Sequence, residues 1–404
     1  MGWAWALVLL IGCAMAARAA SPKRIVLLGD STTYGYALDR PYGQILSEIL
    51  TARGIPALVI NAGINGNTTD GARTRFERDV LARKPDIVVI QYGLNDQGIR
   101  FYTDPAATRT LVAQEQFAEN LRAFVRQLRE RGITAILMTP NPMVWTPELG
   151  RKYPDGPYLT PPDGGNRRLE RYVESIRALA VEERVPLVDI YRIYTTRNSL
   201  DDLFLPDGVH PNEKAYGINA DALAQVLVPA RANAPERAGR SARALHLIDS
   251  GRIRALSTRG RGWREDQGRV VLERIEERGN PLDRITLPVA LGSGDFQTRA
   301  RVKIFGNAES PPLLIIGNRR FPLGAPAAGG AGPVPLVVAV GRPITLEIAR
   351  RKGVLTITAD GRRLFAEETG AAALPVLGFE PGKGKLEIYD LRVELSQPGR
   401  ASGE

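Results

Sequence analysis

The sequence predicts two successive architectures: an α/β unit built on an open parallel sheet, then an all-β sandwich or jelly roll. Three observations predict them. Apolar runs without polar alternation recur between amphipathic stretches from residue 23 to about residue 229. Beyond about residue 243 the runs become short and often alternating, with glycine-containing turns between them. A chain of 404 residues also exceeds what one ordinary core fills.

In the first part the apolar runs are 24–28, 57–60, 87–90, 134–138 and 186–190. Each is rich in Val, Ile or Leu and lacks a polar face, as strands buried on both sides do. Helical patterns over 44–50, 73–81, 108–131, 166–183 and 213–228 separate and follow them. In the third of these, Leu111, Phe117, Leu121, Phe124, Val125 and Leu128 recur at three- and four-residue spacing until Gly132 stops the pattern. Five βα units of this kind argue for helices on both faces of a parallel sheet. They place a site beyond the carboxyl ends of the strands. Residues 230–243 lose periodicity and read as a linker.

The second part, 244–396, carries runs at 269–272, 296–304, 312–316, 336–340, 344–348, 354–359 and 385–395. Turns such as Ala359-Asp360-Gly361 and Pro381-Gly382-Lys383-Gly384 divide them, an antiparallel pattern. Residues 325–333, heavy in Gly, Ala and Pro, read as a flexible loop, and 397–404 as a tail.

Residues 1–19 read as a secretory signal peptide. The apolar run is shorter than a bilayer span and ends in Ala17-Arg18-Ala19, a small-x-small cleavage pattern. Two alternatives stand beside this. No Lys or Arg precedes the run, which leaves an uncleaved anchor open. Leu10-Ile11-Gly12-Cys13 resembles a bacterial lipobox, in which Cys13 becomes lipid-modified. Cys13 is the only cysteine, so cleavage leaves no disulfide and no thiolate chemistry. The expectation is an exported protein, periplasmic or extracellular, with lipid anchoring through Cys13 as the alternative. The 54 Lys+Arg against 44 Asp+Glu give a net charge of +10. These cations are spread through both halves among acids, without a basic block interleaved with aromatics. That argues against a nucleic-acid partner and for a diffusely basic surface suited to anionic polymers or envelope surfaces.

Four short motifs carry the chemistry: Gly29-Asp30-Ser31, Asn61-Ala62-Gly63, Gly93-Leu94-Asn95-Asp96 and Asp207-Gly208-Val209-His210. The first three end expected strands, and the fourth precedes an expected helix whose first residue is assigned to Pro211. Taken singly, each also reads as an ordinary turn. Taken together they supply a nucleophile, Ser31, and a base, His210, with a carboxylate three residues earlier, Asp207, to orient it. They also supply three oxyanion donors: the Ser31 and Gly63 N–H groups and the Asn95 amide. Gly63 is chosen because, without a Cβ, it lets a substrate oxygen approach its N–H. Asp30 and Asp96 are assigned as polar supports rather than a glycosidase carboxylate pair. Of the two histidines, His246 has no comparable setting. No zinc cluster, Gly-x-Gly-x-x-Gly turn, Walker A loop or Gly-x-Ser-x-Gly elbow is present, and no cofactor is expected.

In this order, the blocks resemble the SGNH (GDSL-type) hydrolase superfamily over about residues 23–229. Ser31, Gly63, Asn95 and His210 match the four name-giving residues, and Asp207 the third triad member. Thr32 departs from a residue often found after the serine. The resemblance implies a flavodoxin-like three-layer fold with strand order 2-1-3-4-5 and hydrolysis of acyl or acetyl esters. The C-terminal part weakly resembles concanavalin A-like (laminin G/glucanase-type) domains. The carrying stretches are Gly294-Asp295-Phe296-Gln297, 346–356, Asp360-Gly361 and 386–393. Such domains often bind glycans, but many only pack against their partner domain, and both readings stay open here. Residues 140–165, with Trp145, Tyr153 and Tyr158, follow the fourth strand and so can overhang the expected site as a substrate wall; an ordinary surface loop with packed aromatics is the alternative. An acetylated carbohydrate is the first expected substrate and a lipid ester the second. A non-catalytic glycan-binding surface protein is the alternative from a different class.

Overall fold

The computed structural model describes residues 22–99, 109–152 and 166–228. It also describes 243–395, with gaps at 250–251, 254, 260–261, 275–283, 288–294, 306–309, 318, 325–335, 371–373 and 375. The signal peptide, the linker up to residue 242, the 325–333 loop, the tail, Tyr153 and Tyr158 lie outside the described residues.

The N-terminal part runs β1 (Lys23–Gly29), α1 (Ser31–Tyr34), α2 (Tyr42–Ala52), β2 (Ala57–Gly63), α3 (Thr69–Asp79), β3 (Ile87–Gln91), α4 (Gln114–Glu130) and β4 (Thr134–Met138). It continues through α5 (Pro147–Lys152), α6 (Asn166–Glu182), β5 (Leu187–Val188), α7 (Ile190–Thr195) and α8 (Glu213–Leu227). Its five strands are parallel, in the order 2-1-3-4-5. Side chains on β1 alternate between two cores. Val26 and Leu28 join a cluster with Phe76, Phe124 and Ile176 of α3, α4 and α6. Ile25 and Leu27 join one with Leu46 of α2 and Leu223 of α8. Strict period-two alternation on a strand that both faces cover is what makes three layers.

Three sequence expectations differ in detail. The run 186–190 yields only a two-residue strand, because the Asp189 carboxylate accepts the Arg192 N–H at 3.1 Å and starts α7. The helix expected from 108 begins at Gln114. Before it, Thr110 bridges to Ile99, and Leu111 is exposed. The run 336–340 contributes only a bridge from Leu336 to Leu323.

The C-terminal part is all β. It comprises β6 (Arg243–Asp249), β7 (Arg252–Ile253), β8 (Leu256–Arg259), β9 (Trp263–Asp266), β10 (Arg269–Glu273), β11 (Arg284–Thr286) and β12 (Phe296–Phe305). Then follow β13 (Leu313–Ile316), β14 (Arg319–Pro322), β15 (Pro343–Arg351), β16 (Val354–Ala359), β17 (Arg362–Glu368), β18 (Leu377–Glu380) and β19 (Lys385–Leu395). These strands form two layers, one of which is not separate from the α/β unit. β8 pairs in parallel with β2, Leu58 opposite Leu256 and Asn61 opposite Arg259. β11, β18, β13 and β14 then extend the same sheet to ten strands. The other layer is a nine-stranded sheet in which β12 lies between β15 and β19. Leu58 and Ile60 of β2, Ile285 of β11, Phe379 of β18 and Ile348 of β15 belong to one hydrophobic cluster. The core is therefore continuous from one part of the chain to the other.

Candidate active site

The carboxyl end of β1 delivers Gly29, Asp30 and Ser31. Gly29 has no room for a side chain: an ideal Cβ would lie 2.1 Å from Thr33 Oγ1 and 2.8 Å from Gln91 O. Asp30 is buried and caps α1, its Oδ1 accepting the Thr32 N–H at 2.9 Å and the Thr32 hydroxyl at 2.8 Å. Burial pushes the Asp30 carboxyl above its ordinary range, and the Thr32 bonds offset only part of that. Ser31 is the first residue of α1, so its N–H has no acceptor within the helix. Gly35, at φ +88°, ends the helix after one turn.

Residues 207–210 come from the loop before α8. Asp207 Oδ1 accepts the N–H groups of Val209 at 2.9 Å and His210 at 3.0 Å, folding the four residues into a turn. Gly208 has φ +68°, and a Cβ there would lie 2.1 Å from Val144 O. That fit lets Val144 N–H bond Gly208 O at 2.8 Å and fastens the turn to the segment after β4. His210 Nδ1 lies 2.6 Å from Asp207 Oδ2, and His210 Nε2 lies 2.8 Å from Ser31 Oγ. Burial alone would raise the Asp207 carboxyl. The His210 ring and the two N–H groups outweigh it and hold the group at about 2. Pro211 is not the first helical residue. It bridges to Phe204, and Asn212 caps α8 by accepting the Ala215 N–H at 3.1 Å.

The third motif brings Asn95 and Asp96. Asn95 Nδ2 donates to Asn67 O at 3.0 Å and, less closely, to Asp30 Oδ2 at 3.3 Å. Asp96 is fully buried. Its Oδ1 accepts the Thr69 N–H at 2.8 Å and hydroxyl at 2.6 Å, while Oδ2 has no hydrogen-bond partner among the described residues. Burial pushes this carboxyl up to about 6 despite the Thr69 bonds. Asp30 and Asp96 are thus placed as supports of α1 and of the Thr69 end of α3.

Gly63 requires a correction. Its N–H donates to the Asn61 side-chain oxygen at 3.0 Å, so it is not aimed at a substrate. A Cβ on Gly63 would lie 2.3 Å from Tyr34 N and 2.8 Å from Asp30 O. This glycine is small so that β2 can press against α1, and the Asn61 amide tightens the contact by donating to Thr33 O at 2.8 Å. Three residues on, Gly66 has φ +70°, open space at its Cβ position and an N–H without a partner among the described residues. Its neighbour Asn67 is the residue that Asn95 holds. The signal for Gly66 was its left-handed turn, which Ile64-Asn65-Gly66-Asn67 supports as well as Gly63 does.

Two further residues have no sequence signal of their own. Arg75 on α3 is buried and donates to Ala62 O at 2.8 Å and Gly29 O at 3.1 Å, joining the ends of β2 and β1 beneath the site. Tyr36 stacks on the His210 ring, centroids 4.2 Å apart and planes at 25°. Among the described residues, no group of three or more His, Cys, Asp or Glu is arranged to hold a metal. Trp145 lies on the segment that Val144 fastens to Gly208.

Residues 27–218 match the GDSL-like Lipase/Acylhydrolase family. The uncharacterized lipoprotein YqeF of Bacillus subtilis is 34% identical over 176 residues, 42% of this chain and 70% of its own. An acetylxylan esterase of Geobacillus stearothermophilus is 28% identical over 224 residues, 50% of this chain and 92% of its own. An arylesterase of Vibrio mimicus is 26% identical over 223 residues, 55% of this chain and 96% of its own.

Proposed function

The chain belongs to the GDSL-like lipase/acylhydrolase family and is a carboxylic ester hydrolase; from that premise we propose a serine mechanism on Ser31, His210 and Asp207. Ser31 Oγ attacks the ester carbonyl as His210 Nε2 takes its proton. Asp207 keeps the Nδ1 proton on its own side of the ring and balances the imidazolium that forms. The returning proton goes to the leaving alcohol, and water repeats the sequence on the acyl-serine. The oxyanion is received by the Ser31 N–H, the Gly66 N–H and the Asn95 amide, whose longer bond to Asp30 is the one a substrate oxygen replaces. A single observation carries this reading. Side chains 179 residues apart meet at 2.8 Å, with the carboxylate in line behind the imidazole.

The substrate we propose is an acetylated carbohydrate met outside the cytoplasm. The N-terminal leader pattern and a family relative named as an acetylxylan esterase support it. The relative named as a lipoprotein supports the alternative in which Cys13 carries a lipid and holds the enzyme at the envelope. The test is release of acetate from acetylated glycans beside a long-chain acyl-ester panel, with wild type and Ser31→Ala. Acetate release by wild type alone supports both parts. Equal rates in the two proteins reject the mechanism, and turnover confined to long acyl chains rejects the substrate.

A further inference from the structure

The loop between α1 and α2 is anchored to three separate parts of the molecule. At its start, Tyr36 N–H donates to Ser31 O at 3.1 Å, and the Tyr36 ring covers one face of His210. At its end, Arg40 pairs with Glu48 of α2 and, at 2.6 Å, with Glu213, the first residue of the helix that follows His210. Between them lies Asp39, which two arginines of the C-terminal half hold. Both terminal nitrogens of Arg284 are 3.1 Å from Asp39 Oδ1, and Arg320 Nη2 is 3.0 Å from the same atom. Arg284 also donates to the Asp39 carbonyl at 3.3 Å.

This junction is tightly specified. Arg284 is only 1% exposed, and its Nε donates to Glu380 Oε1 at 2.8 Å. A buried guanidinium tolerates little drift, because a lost donor leaves charge in an apolar surrounding. The arginine therefore fixes the distance between β18, which carries Glu380, and the loop. Tyr36, by contrast, is 42% exposed, so packing alone does not hold it. It is flanked by two residues in the left-handed region, Gly35 at φ +88° and Ala37 at φ 57°. A non-glycine residue stays in that region only when its surroundings impose it.

We propose that Tyr36 is a positioning residue for His210, and that the Arg284–Asp39–Arg320 junction holds Tyr36 in place, so that the C-terminal half of the chain sets the orientation of the base. The inference rests on the serine mechanism above. Its physical basis is geometric. The bonds at Nδ1 and Nε2 fix an axis through the imidazole but leave the ring free to tilt about it. A flat ring 4.2 Å away removes that freedom. The aromatic face also favours the imidazolium formed during attack.

The test measures kcat, KM and melting temperature on a nitrophenyl acetate with the full chain. The variants are Tyr36→Phe, Tyr36→Ala, Asp39→Ala, the Tyr36→Ala/Asp39→Ala pair and Ser31→Ala. Tyr36→Phe should stay near wild type because the ring remains. Tyr36→Ala should lower kcat about 10- to 100-fold with little change in KM, the scale expected of a misplaced catalytic group. Asp39→Ala should lower kcat in the same way, and the double variant should be no slower than Tyr36→Ala alone. Wild-type kcat in Asp39→Ala with a lowered melting temperature would make the junction structural only and overturn the inference. So would multiplying effects in the double variant. An active Ser31→Ala protein would instead sink the serine mechanism itself.

Discussion

Asp207 holds His210 twice. One carboxylate oxygen lies 2.6 Å from Nδ1, and the other accepts the histidine's own backbone N–H at 3.0 Å. Asp207→Asn can keep the backbone bond through its carbonyl, but its amide cannot accept a proton from Nδ1. The turn should survive and the tautomer should not. We expect kcat on the order of 10³–10⁴ lower with little change in melting temperature. A rate within tenfold of wild type would contradict the assigned role.

Gly63 and Gly66 should respond oppositely to alanine. At Gly63 the new methyl meets backbone of α1, 2.3 Å from Tyr34 N. Gly63→Ala should therefore cost at least about 2 kcal/mol and carry kcat down as Ser31 shifts. At Gly66 the methyl enters open space, and only the left-handed backbone resists it, by roughly 1–2 kcal/mol. Its N–H remains, so Gly66→Ala should keep kcat within a few-fold of wild type. Urea unfolding and steady-state kinetics on both variants decide the matter. Reversal of the two outcomes would return the oxyanion role to Gly63.

Asp96 and Asp207 impose opposite pH trends on stability. Asp96 has a folded value of about 6 against 3.8 for the free side chain. Between these values the unfolded chain has released a proton that the folded chain keeps. Stability therefore falls as pH rises from about 4 to about 6, by on the order of 3 kcal/mol, and is level above. Asp207, held at about 2, contributes stability above 3.8 that disappears as pH falls toward 2. Asp96→Asn retains an acceptor for Thr69 and should flatten the slope between pH 4 and 6. Asp30, raised by its own burial, preserves some of it. An unchanged slope in urea midpoints across that window would show that Asp96 does not titrate there.

Much of the α/β unit was legible because its strands are buried on both faces and so leave unbroken apolar runs. The 134–138 run coincides with β4, and 213–228 nearly so with α8. The short elements were not legible. α7 depends on one capping carboxylate, Asp189, and α5 spans six residues, too few for a period to show. Ser31, His210 and Asp207, which the structure brings together, were readable because the proposed chemistry demands particular side chains. The Gly63 assignment failed for the opposite reason. An N–H belongs to every residue except proline, and only the fold decides which one is free. Arg75 and Tyr36 were hidden likewise, since their roles depend on partners distant in sequence.

Nothing in the composition announces that β8 would lie parallel beside β2. Yet that pairing removes the exposed edge on which a stand-alone α/β unit would otherwise have to rely. The two halves of this enzyme are thus unlike beads on a string. A gene fragment ending near residue 229 would leave β2 as an unpaired edge strand, inviting self-association. Grafting the C-terminal half onto another esterase would have to rejoin five of its strands to the host sheet rather than append a module.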